Sequence, residues 1–525
     1  MAKQKNGNGR KLATPQSVDS AIWSICDIMR RSNCAGAMQY VPELTWILFL
    51  RILDETEAEE AERAAAVRVE FTPSLRSPYR WQDWAAPFDD SLLAAAGKER
   101  AQGWKRKQLT EGAMGKFFAF VNEDLLPHLK KLRDKPNATP RQKVIGEIMA
   151  GVERVRIDTE RNLLDVLDKV HEITLGSVDK THVFPLSQVY EGLLLKMGEK
   201  GNDGGQFFTP RQIIKAIVKT ISPRIGETVY DPCCGTGGFL AQAYELMREQ
   251  LGDATTGEQL ETLKRRTFYG REKENLIFPI ALANLVLHGI DEPHLWHGNT
   301  LTGGEAYGGL FQDAPGLYDV VLTNPPFGGK EGKEAQTRFA YKTSATQVLF
   351  LQHVIENLKS GGRCGIVLDE GVLFRTNETA FVQTKRKLLD DCDLWCIVSL
   401  PGGVFSTAGA GVKTNLLFFT KGTPTERIWY YDLSDIKVGK RTPFTMERFA
   451  DFFALLPKRG DSPRSWTVTR QEIEARGYDL KAVNPNAKSD EDKRTPTELL
   501  DLIEAKGREV AEAVAVLRRL VLCHS

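Results

Sequence analysis

Apolar residues recur at helical spacing along the first third of the chain. The segments 21–29 and 44–52 each place such residues on one face of a helix, and the pattern resumes over 115–132 after a polar, proline-containing stretch. This pattern predicts a helical N-terminal domain over residues 15–170. The basic segment 1–14 before it is predicted to be a disordered leader, since no apolar segment follows that would make a signal peptide.

The pattern changes after about residue 185, where short apolar segments alternate with amphipathic ones. The predicted strands are 228–231, 267–270, 318–323, 363–368, 394–399 and 414–420. The predicted helices between them are 239–251, 274–288, 345–359 and 378–390. Strands separated by helices indicate βαβ units and a parallel sheet, so we predict an α/β domain over residues 171–480. The pair Gly361-Gly362 before the fourth strand fits a helix stop.

Beyond these elements the chain carries an aromatic strand at 429–431 and, after a polar linker at 484–496, a long amphipathic segment at 497–522. We therefore assign residues 481–525 to a linker and a final helix. An apolar stripe on such a helix is compatible with packing on the chain's own body and with docking on a partner. The pattern alone leaves both open.

Composition places the chain among globular proteins. Its 525 residues are 42% hydrophobic and 26% charged, which suits a sizeable core and about two to four domains. No apolar run approaches the roughly 20 residues of a membrane-spanning helix. The eight cysteines show no paired zinc-type spacing. We therefore expect a cytoplasmic protein with free thiols, no metal site and no membrane contact.

Charge is balanced overall but uneven along the chain. A net charge of +1 argues against wrapping nucleic acid by bulk electrostatics. Residues 100–143 nevertheless hold eleven Lys or Arg against four acids, and residues 54–62 hold six acids and no base. Each stretch is compatible with a solvated helix face, and the basic one also with a patch that faces DNA or another subunit.

A glycine-rich turn follows the first predicted strand, with the sequence Asp231-Pro-Cys-Cys-Gly-Thr-Gly-Gly238. Glycines at a strand-to-helix turn let the backbone approach a ligand, and the helix N-terminus offers unpaired N–H groups. The turn lacks the Gly-x-Gly-x-x-Gly pattern and a Walker lysine, which weakens the dinucleotide and triphosphate interpretations. A purely structural turn remains an alternative.

An acid that binds a ribose hydroxyl is expected at the end of the next strand, about 20 residues on in a dinucleotide fold. Here that strand ends at Glu272, roughly twice as far, because the loop 252–257 and a helical piece up to Arg266 intervene. The spacing alone does not single out Glu272 from an ordinary surface glutamate.

The third predicted strand runs directly into Asn324-Pro-Pro-Phe327. Two prolines remove two N–H donors, so we expect the sheet ladder to stop and the carbonyls to stay free. A free carbonyl beside the Asn324 side-chain oxygen gives two acceptors for one amine, and Phe327 gives a face for stacking a base. Such a site would align a planar amine, adenine N6 for example, with a sulfonium methyl group.

With these motifs in place, the sequence resembles the modification (methyltransferase) subunit of type I restriction-modification systems, in the N6-adenine DNA methyltransferase family. The resemblance covers nearly the whole chain and rests on five motifs in the family's order. These are Gly205–Arg211, Asp231–Phe239, Gly270–Glu272, Gly298–Leu301 and Asn324–Gly328. It implies a Rossmann-like S-adenosylmethionine-dependent methyltransferase domain with a helical N-terminal domain and a C-terminal helical extension.

The resemblance also implies roles for individual residues. Thr209 would donate a hydrogen bond to the methionine end of the cofactor, Glu272 would bind its ribose, and Asn299 would lie near its adenine. The implied cofactor-binding residues are Gln206, Phe207, Phe208, Thr209, Pro210, Arg211, Asp231, Gly235, Thr236, Gly237, Gly238, Glu272 and Asn299. The implied catalytic residues are Asn324, Pro325, Pro326 and Phe327.

Partners follow from the same resemblance. It implies double-stranded DNA with a flipped adenine, which the N-terminal helices contact or clamp. It implies a specificity subunit that binds two copies of this chain through the final helix, and a restriction subunit in the larger complex.

Three other functions are compatible with parts of the pattern. A protein-glutamine N5 methyltransferase also uses Asn-Pro-Pro-aromatic on a planar amide, although such enzymes lack large terminal additions. An RNA adenine methyltransferase is a second alternative. A non-catalytic assembly scaffold is the third, and intact Asn324, Phe327 and glycines speak against it.

Overall fold

The computed structural model describes residues 15–32, 34, 37–87, 104–113, 115–172, 209–252, 255–405, 412–439, 442–486 and 495–522. The chain divides into two compact units, residues 1–483 and 484–525. The segment predicted to be a leader, residues 1–14, lies outside the described residues.

The described part of residues 15–172 is helical and contains no strand. Its α-helices are α1 Pro15–Arg31, α2 Ala37–Ala66, α3 Trp81–Trp84, α4 Trp104–Thr110, α5 Lys116–Ala119, α6 Leu126–Lys130, α7 Pro140–Met149 and α8 Glu160–His171. A π-helical turn, Phe120–Leu125, joins α5 to α6, and a 3-10 turn, Lys131–Asp134, follows α6. Residues 43–53 of α2 are buried all round, so this helix forms the centre of the bundle.

The acidic and basic stretches of the N-terminal helices meet each other. Arg141 donates to both carboxylate oxygens of Glu60, at 2.8 and 3.0 Å. Buried Arg106 donates to the Ala85 carbonyl at 2.8 Å and pairs with Asp168. These arginines therefore stabilise the fold rather than forming an open patch. The exposed lysines of the described basic stretch are Lys116, Lys131 and Lys135.

The second half of the first unit is built on one sheet. Its strands are β1 Val229–Asp231, β2 Phe268–Glu272, β3 His294–Asn299, β4 Gly304–Tyr307, β5 Tyr318–Thr323, β6 Leu358–Asp369, β7 Cys392–Ser399, β8 Thr414–Lys421, β9 Arg427–Asp432 and β10 Ser465–Thr469. They lie in the order β10-β9-β7-β8-β6-β5-β1-β2-β3-β4. All six predicted strands are present, and the aromatic strand at 429–431 lies in β9.

Helices cover both faces of this sheet. They are α9 Arg211–Ile221, α10 Gly238–Glu249, α11 Gly257–Arg265, α12 Ile277–Leu287, α13 Lys333–Thr337, α14 Thr346–Asn357, α15 Glu370–Phe374, α16 Thr379–Asp391, α17 Ala450–Leu455 and α18 Arg470–Ala475; a 3-10 turn, Met446–Phe449, precedes α17. Successive residues of β5 show the two faces. Val320 and Leu322 belong to one apolar cluster and Val321 to the other. The predicted α/β fold is thus confirmed.

Of the six predicted strands, β1, β2, β5, β6 and β7 run in the same direction, as predicted, and the prediction is wrong for β8. Strands β6, β5, β1, β2 and β3 are parallel, whereas β8 lies antiparallel between β6 and β7. The chain passes from β6 through α16 to β7, which is placed with a gap of one strand position between it and β6. The chain leaves β7 at the carboxyl edge, so the next strand fills that gap from the same edge and runs back.

Three strands were not predicted, and helix α14 does not reach the glycine pair that was expected to end it. Strands β3, β4 and β10 are missing from the sequence prediction. Helix α14 ends at Asn357, and Gly361, with φ of +78°, lies inside the bulged start of β6. The Gly361-Gly362 pair is therefore a bend in a strand rather than a helix stop.

The second unit contains one described helix, α19 Pro496–Leu522, as predicted. Thr495 and Glu498 form a reciprocal cap at its start, in which Glu498 accepts from the Thr495 N–H and donates its own N–H to the Thr495 hydroxyl. The apolar side chains Leu500, Ile503 and Val510 are more than half exposed. No helix in the described parts of the chain has the length and apolarity to cross a membrane.

The described cysteines form no disulfide with one another, and all except Cys233 are buried. Within the described ranges, no group of His, Cys, Asp and Glu side chains is arranged to hold a metal ion.

Candidate active site

The carboxyl ends of β1, β2, β3 and β5 surround a cavity of about 290 Å³. This edge of a parallel sheet is where α/β proteins bind their ligands. Ten of the predicted site residues line the cavity: Thr209, Arg211, Asp231, Gly235, Thr236, Gly238, Glu272, Asn299, Asn324 and Pro326. The predicted residues Gln206, Phe207 and Phe208 lie outside the described residues.

The glycine turn brings the N-terminus of α10 to the cavity wall. Gly237 has φ of +79°, and a Cβ on Gly238 would lie 2.9 Å from Ile214 Cδ1 on α9. A larger residue at Gly237 would therefore strain the backbone, and one at Gly238 would require the Ile214 side chain to shift. Buried Asn284 of α12 holds the turn by donating to the Thr236 carbonyl at 2.9 Å. No side chain caps α10, so its first N–H groups are available to a ligand.

Asp231 ties the end of β1 to the end of β5. Its Oδ1 accepts from the Thr323 hydroxyl at 2.7 Å and from the Cys233 N–H at 3.2 Å. Burial raises the pKa of Asp231 to about 7, despite these two hydrogen bonds. The carboxyl group is a structural link between neighbouring strands, and it lines the cavity.

Glu272 closes the end of β2 with a nearly saturated carboxylate. Its Oε1 accepts from the N–H groups of Lys273 and Glu274, each at 2.8 Å, and its Oε2 accepts from Gly235 at 2.9 Å. Burial raises the pKa of Glu272 to about 7 against these three donors. Since a carboxylate offers about four acceptor positions, one position remains for a ligand hydroxyl.

Asn299 ends β3 and organises the turn after it. Its Oδ1 accepts from the N–H groups of Leu301 and Thr302, at 3.0 and 3.2 Å. The adjacent Thr300 hydroxyl donates to the Pro232 carbonyl at 2.6 Å and joins this turn to the glycine turn. Because the oxygen of Asn299 is engaged, its amide nitrogen is the group suited to meet a ligand.

Asn324 follows the last residue of β5 and begins the Asn-Pro-Pro-Phe motif. Its side-chain nitrogen is hydrogen-bonded, whereas, within the part of the chain that the structure describes, its side-chain oxygen is not. Its Nδ2 donates to the Thr209 hydroxyl at 3.0 Å. Its Oδ1 is buried and has no hydrogen-bond partner among the described residues. A buried acceptor without a partner is costly in a folded protein, and at the wall of a cavity a ligand can supply the missing donor.

The Pro325 carbonyl is not free, contrary to the prediction from the two prolines. It accepts from Nε2 of buried Gln347 on α14 at 3.1 Å. A carbonyl has two lone pairs, so one remains for a second donor. Phe327 is partly exposed and packs edge-on against Phe405, with ring centroids 5.2 Å apart.

Sequence reasoning missed the residues that support the motifs from other elements, including Asn284, Gln347 and Phe405. Each lies far along the chain from the backbone or ring that it contacts. The only available signal was a buried polar residue within an apolar helix, as for Asn284 and Gln347. Pro210 precedes α9 as its N-cap residue, and Arg211 begins that helix at the cavity.

The sheet order, the antiparallel β8, the glycine turn after β1 and the acid after β2 define a Rossmann-like S-adenosylmethionine-dependent methyltransferase fold. Residues 181–494 match the N-6 DNA methylase family, and residues 18–170 match the HsdM N-terminal domain. The chain belongs to the family of methylase subunits of type I restriction enzymes.

Individual relatives resemble this chain over most of its length. The EcoEI methylase subunit of Escherichia coli is 33% identical, and the match covers 96% of this chain and 98% of that subunit. The EcoKI methylase subunit of Escherichia coli strain K12 is 33% identical over 86% of this chain and 79% of its own length.

Solved structures agree with this assignment. A chain of a type I R-M system, solved in work on its complex assembly and conformational transition, is 36% identical with a TM-score of 0.71. That match covers 98% of this chain and 100% of the other. A modification subunit assigned to a type I restriction enzyme of Vibrio vulnificus is 30% identical, with a TM-score of 0.72, and covers 93% of this chain and 99% of its own.

Proposed function

We propose that this chain transfers a methyl group from S-adenosylmethionine to N6 of adenine in double-stranded DNA, as the modification subunit of a type I restriction-modification complex. The observation that carries the proposal is the buried, unpartnered Oδ1 of Asn324 at the cavity; the Pro325 carbonyl follows it directly in the chain. Two acceptors at the end of β5 suit an amine with two hydrogens. Family membership restricts that amine to a base in DNA.

The cavity residues fit S-adenosylmethionine on two grounds. Glu272 keeps one acceptor position for a ribose hydroxyl, and the uncapped N-terminus of α10 faces the cavity. We propose that Thr209 to Arg211 and the glycine turn bind the cofactor, together with Gln206 to Phe208 just before them. Asn299 would donate to the adenine ring of the cofactor. When bound, the cofactor supplies an electrophilic methyl group on a sulfonium sulfur.

The chain's residues would activate the amine by alignment. The Asn324 Oδ1 and the remaining lone pair of the Pro325 carbonyl each accept one N–H of the adenine amine. This pairing favours a pyramidal nitrogen whose lone pair points at the methyl group. Phe327 would stack on the flipped base, which offsets part of the cost of unstacking it. No covalent intermediate with the protein is required.

Partners and domains complete the proposal. Residues 15–170 would contact or clamp the DNA, residues 171–480 would carry the reaction, and residues 481–525 would dock on the specificity subunit. The exposed apolar side chains of α19 support such docking. Two copies of this chain would bind one specificity subunit, and a restriction subunit would join the larger complex.

The test uses the complex of this chain with the specificity subunit of its own system, labelled S-adenosylmethionine and DNA that contains the target site. The wild-type complex should label adenine N6. Asn324→Ala should lower the single-turnover rate by about 1,000-fold or more, because removal of one preorganised transition-state contact costs that order. Cofactor affinity, measured by calorimetry, should stay within about 3-fold, or roughly half of one tenfold step. Retained methylation in Asn324→Ala would sink the proposal.

A further inference from the structure

We propose that Gln347 is a positioning residue for this reaction, because it holds the Pro325 carbonyl in the direction that the target amine requires. The inference deepens the proposed function and rests on it. Neither Gln347 nor Pro325 lines the cavity, whereas Asn324 and Pro326 on either side of Pro325 do, so Gln347 would act only through the Pro325 carbonyl.

Both ends of the Gln347 amide are engaged in a buried bridge. Its Nε2 donates to the Pro325 carbonyl at 3.1 Å, and its Oε1 accepts from the Asp369 N–H at 3.0 Å. The side chain is 3% exposed. Because both partners are backbone groups, the amide orientation is fixed at each end, and it joins the end of β5 to the end of β6.

This bridge replaces sheet hydrogen bonds that the prolines abolish. Strands β5 and β6 pair in parallel as far as Thr323, opposite Ile366. Pro325 and Pro326 have no N–H, so the ladder stops there. On β6, the N–H of Glu370 bonds to β8 through Lys413, so the N–H of Asp369 points the other way, towards β5. The Gln347 amide occupies the space between Asp369 and Pro325.

The hydrogen bond from Gln347 fixes the direction in which the Pro325 carbonyl can accept a second donor. A carbonyl accepts along two lone-pair directions, and Gln347 occupies one of them. The other then has a fixed direction relative to Asn324 Oδ1 before substrate binds. The proline rings fix φ of Pro325 and Pro326, which leaves ψ of Pro325 to set the carbonyl direction; without Gln347 that angle would no longer be held, and one of two preorganised contacts to the amine would weaken.

The first experiment compares Gln347→Leu with Gln352→Leu in the complex with the specificity subunit. Gln352 is a matched control. It lies on the same helix, is fully buried, and also makes two backbone hydrogen bonds, both with Tyr341. Both variants should lose similar stability, measured by thermal unfolding, since each loses two buried hydrogen bonds.

The two variants should differ in methyl transfer. Gln347→Leu should lower the single-turnover rate at least about 10-fold at saturating cofactor and DNA, while Gln352→Leu should stay within about 2-fold of wild type. The dissociation constant for S-adenosylmethionine should be unchanged in both. Equal rates for the two variants, or a loss of cofactor affinity that accounts for the slower rate, would overturn the inference.

Gln347→Glu adds a readout that a purely structural role would not move. A protonated Glu side chain can still donate to the Pro325 carbonyl, whereas a carboxylate cannot. At pH of about 9, above the range of most buried glutamates, this variant should be at least about 10-fold slower than wild type. Its rate relative to wild type should recover as the pH falls. A variant as fast as wild type at the high pH would overturn the inference.

Failure of the inference and failure of the proposed function are distinguishable. If the wild-type complex does not label adenine, the proposed function fails. If it does label adenine and Gln347→Leu is equally fast, only the role of Gln347 fails.

Discussion

The polar side chains at the ends of β2 and β5 differ in how many hydrogen bonds they accept from the protein. The Glu272 carboxylate accepts three backbone N–H groups, whereas the Asn324 Oδ1 accepts none among the described residues. Strand β1 lies between these two ends of the same sheet. The protein itself satisfies the polar group on one wall of the cavity, whereas in the proposed function the polar group on the other wall is satisfied by the substrate amine. We infer that holding the cofactor needs a fixed wall and that catalysis needs an unsatisfied group.

After Asn324→Ala, the largest effect should come from disturbing the hydrogen-bonded carboxylate at the end of β2. In Glu272→Gln an amide nitrogen would face either the Gly235 N–H or the N–H groups of Lys273 and Glu274, and donors would oppose donors. Relief of this opposition would move the side chain from the position that accepts the ribose hydroxyl, and because a hydrogen bond to a charged group is worth about 1.5–3 kcal/mol, cofactor affinity should fall roughly 10- to 100-fold. Calorimetry with S-adenosylmethionine measures this, and Glu258→Gln on the exposed face of α11 is the control. Affinity within about 2-fold of wild type would contradict the assigned rigidity of this wall.

The second prediction concerns the pH dependence of stability that arises from Asp231, which joins the end of β1 to the end of β5. The Asp231 pKa is raised by burial from 3.8 to about 7, so the folded state binds more protons than the unfolded state between those values. This group therefore contributes stability that is fully present at low pH and is lost as the pH rises through about 7. Asp231→Asn lacks this dependence. As the pH rises from about 5 to about 8, the free energy of unfolding of Asp231→Asn minus that of the wild type should increase by roughly 1–3 kcal/mol.

Asp319, at the other end of β5, provides the matched control for this measurement. Its pKa is lowered, because its hydrogen bonds with Lys359 and Thr228 outweigh the effect of burial. That contribution to stability is lost only as the pH falls below the ordinary range of an aspartate. Denaturant unfolding of Asp319→Asn should therefore show a difference from wild type that is constant over the same window. A constant difference for Asp231→Asn would refute the assignment.

The smallest effect should come from the contact that orients the unsatisfied end. Thr209→Val removes the hydroxyl that accepts from Asn324 Nδ2. The loss of one hydrogen bond of about 1 kcal/mol should slow single-turnover transfer roughly 5-fold, and Thr209→Ser should restore the rate. If Thr209 instead contacts only the cofactor, Thr209→Val should lower the affinity for S-adenosylmethionine, and the transfer rate at saturating cofactor should stay at the wild-type level.

Much of the fold could be predicted because its strands are local apolar runs and its helices have a clear period. Strand β3 could not, since its six residues include two histidines and a glycine. Its burial comes from distant partners. His297 stacks on Phe278 with centroids 4.4 Å apart, and the Arg271 guanidinium lies 4.6 Å from the Trp296 ring. Such contacts leave no mark in the local pattern.

The site divides in the same way. Asp231, Glu272 and Asn324 stand at the ends of predicted strands, and because such ends share one edge of a sheet, the sequence could bring them together. Gln347 could not be found in this way. It lies 22 residues after Pro325, on a helix whose position over the strand ends depends on the packing of the whole sheet.

The antiparallel strand β8 has a consequence for synthesis of the chain. Because β8 separates β6 from β7, strands β7, β9 and β10 cannot join the rest of the sheet without residues 414–421. A nascent or truncated chain that stops before residue 414 would expose the pairing edges of both neighbours, together with their apolar faces. A truncation in this stretch is therefore expected to give a fragment that associates through unpaired strand edges rather than a smaller folded domain.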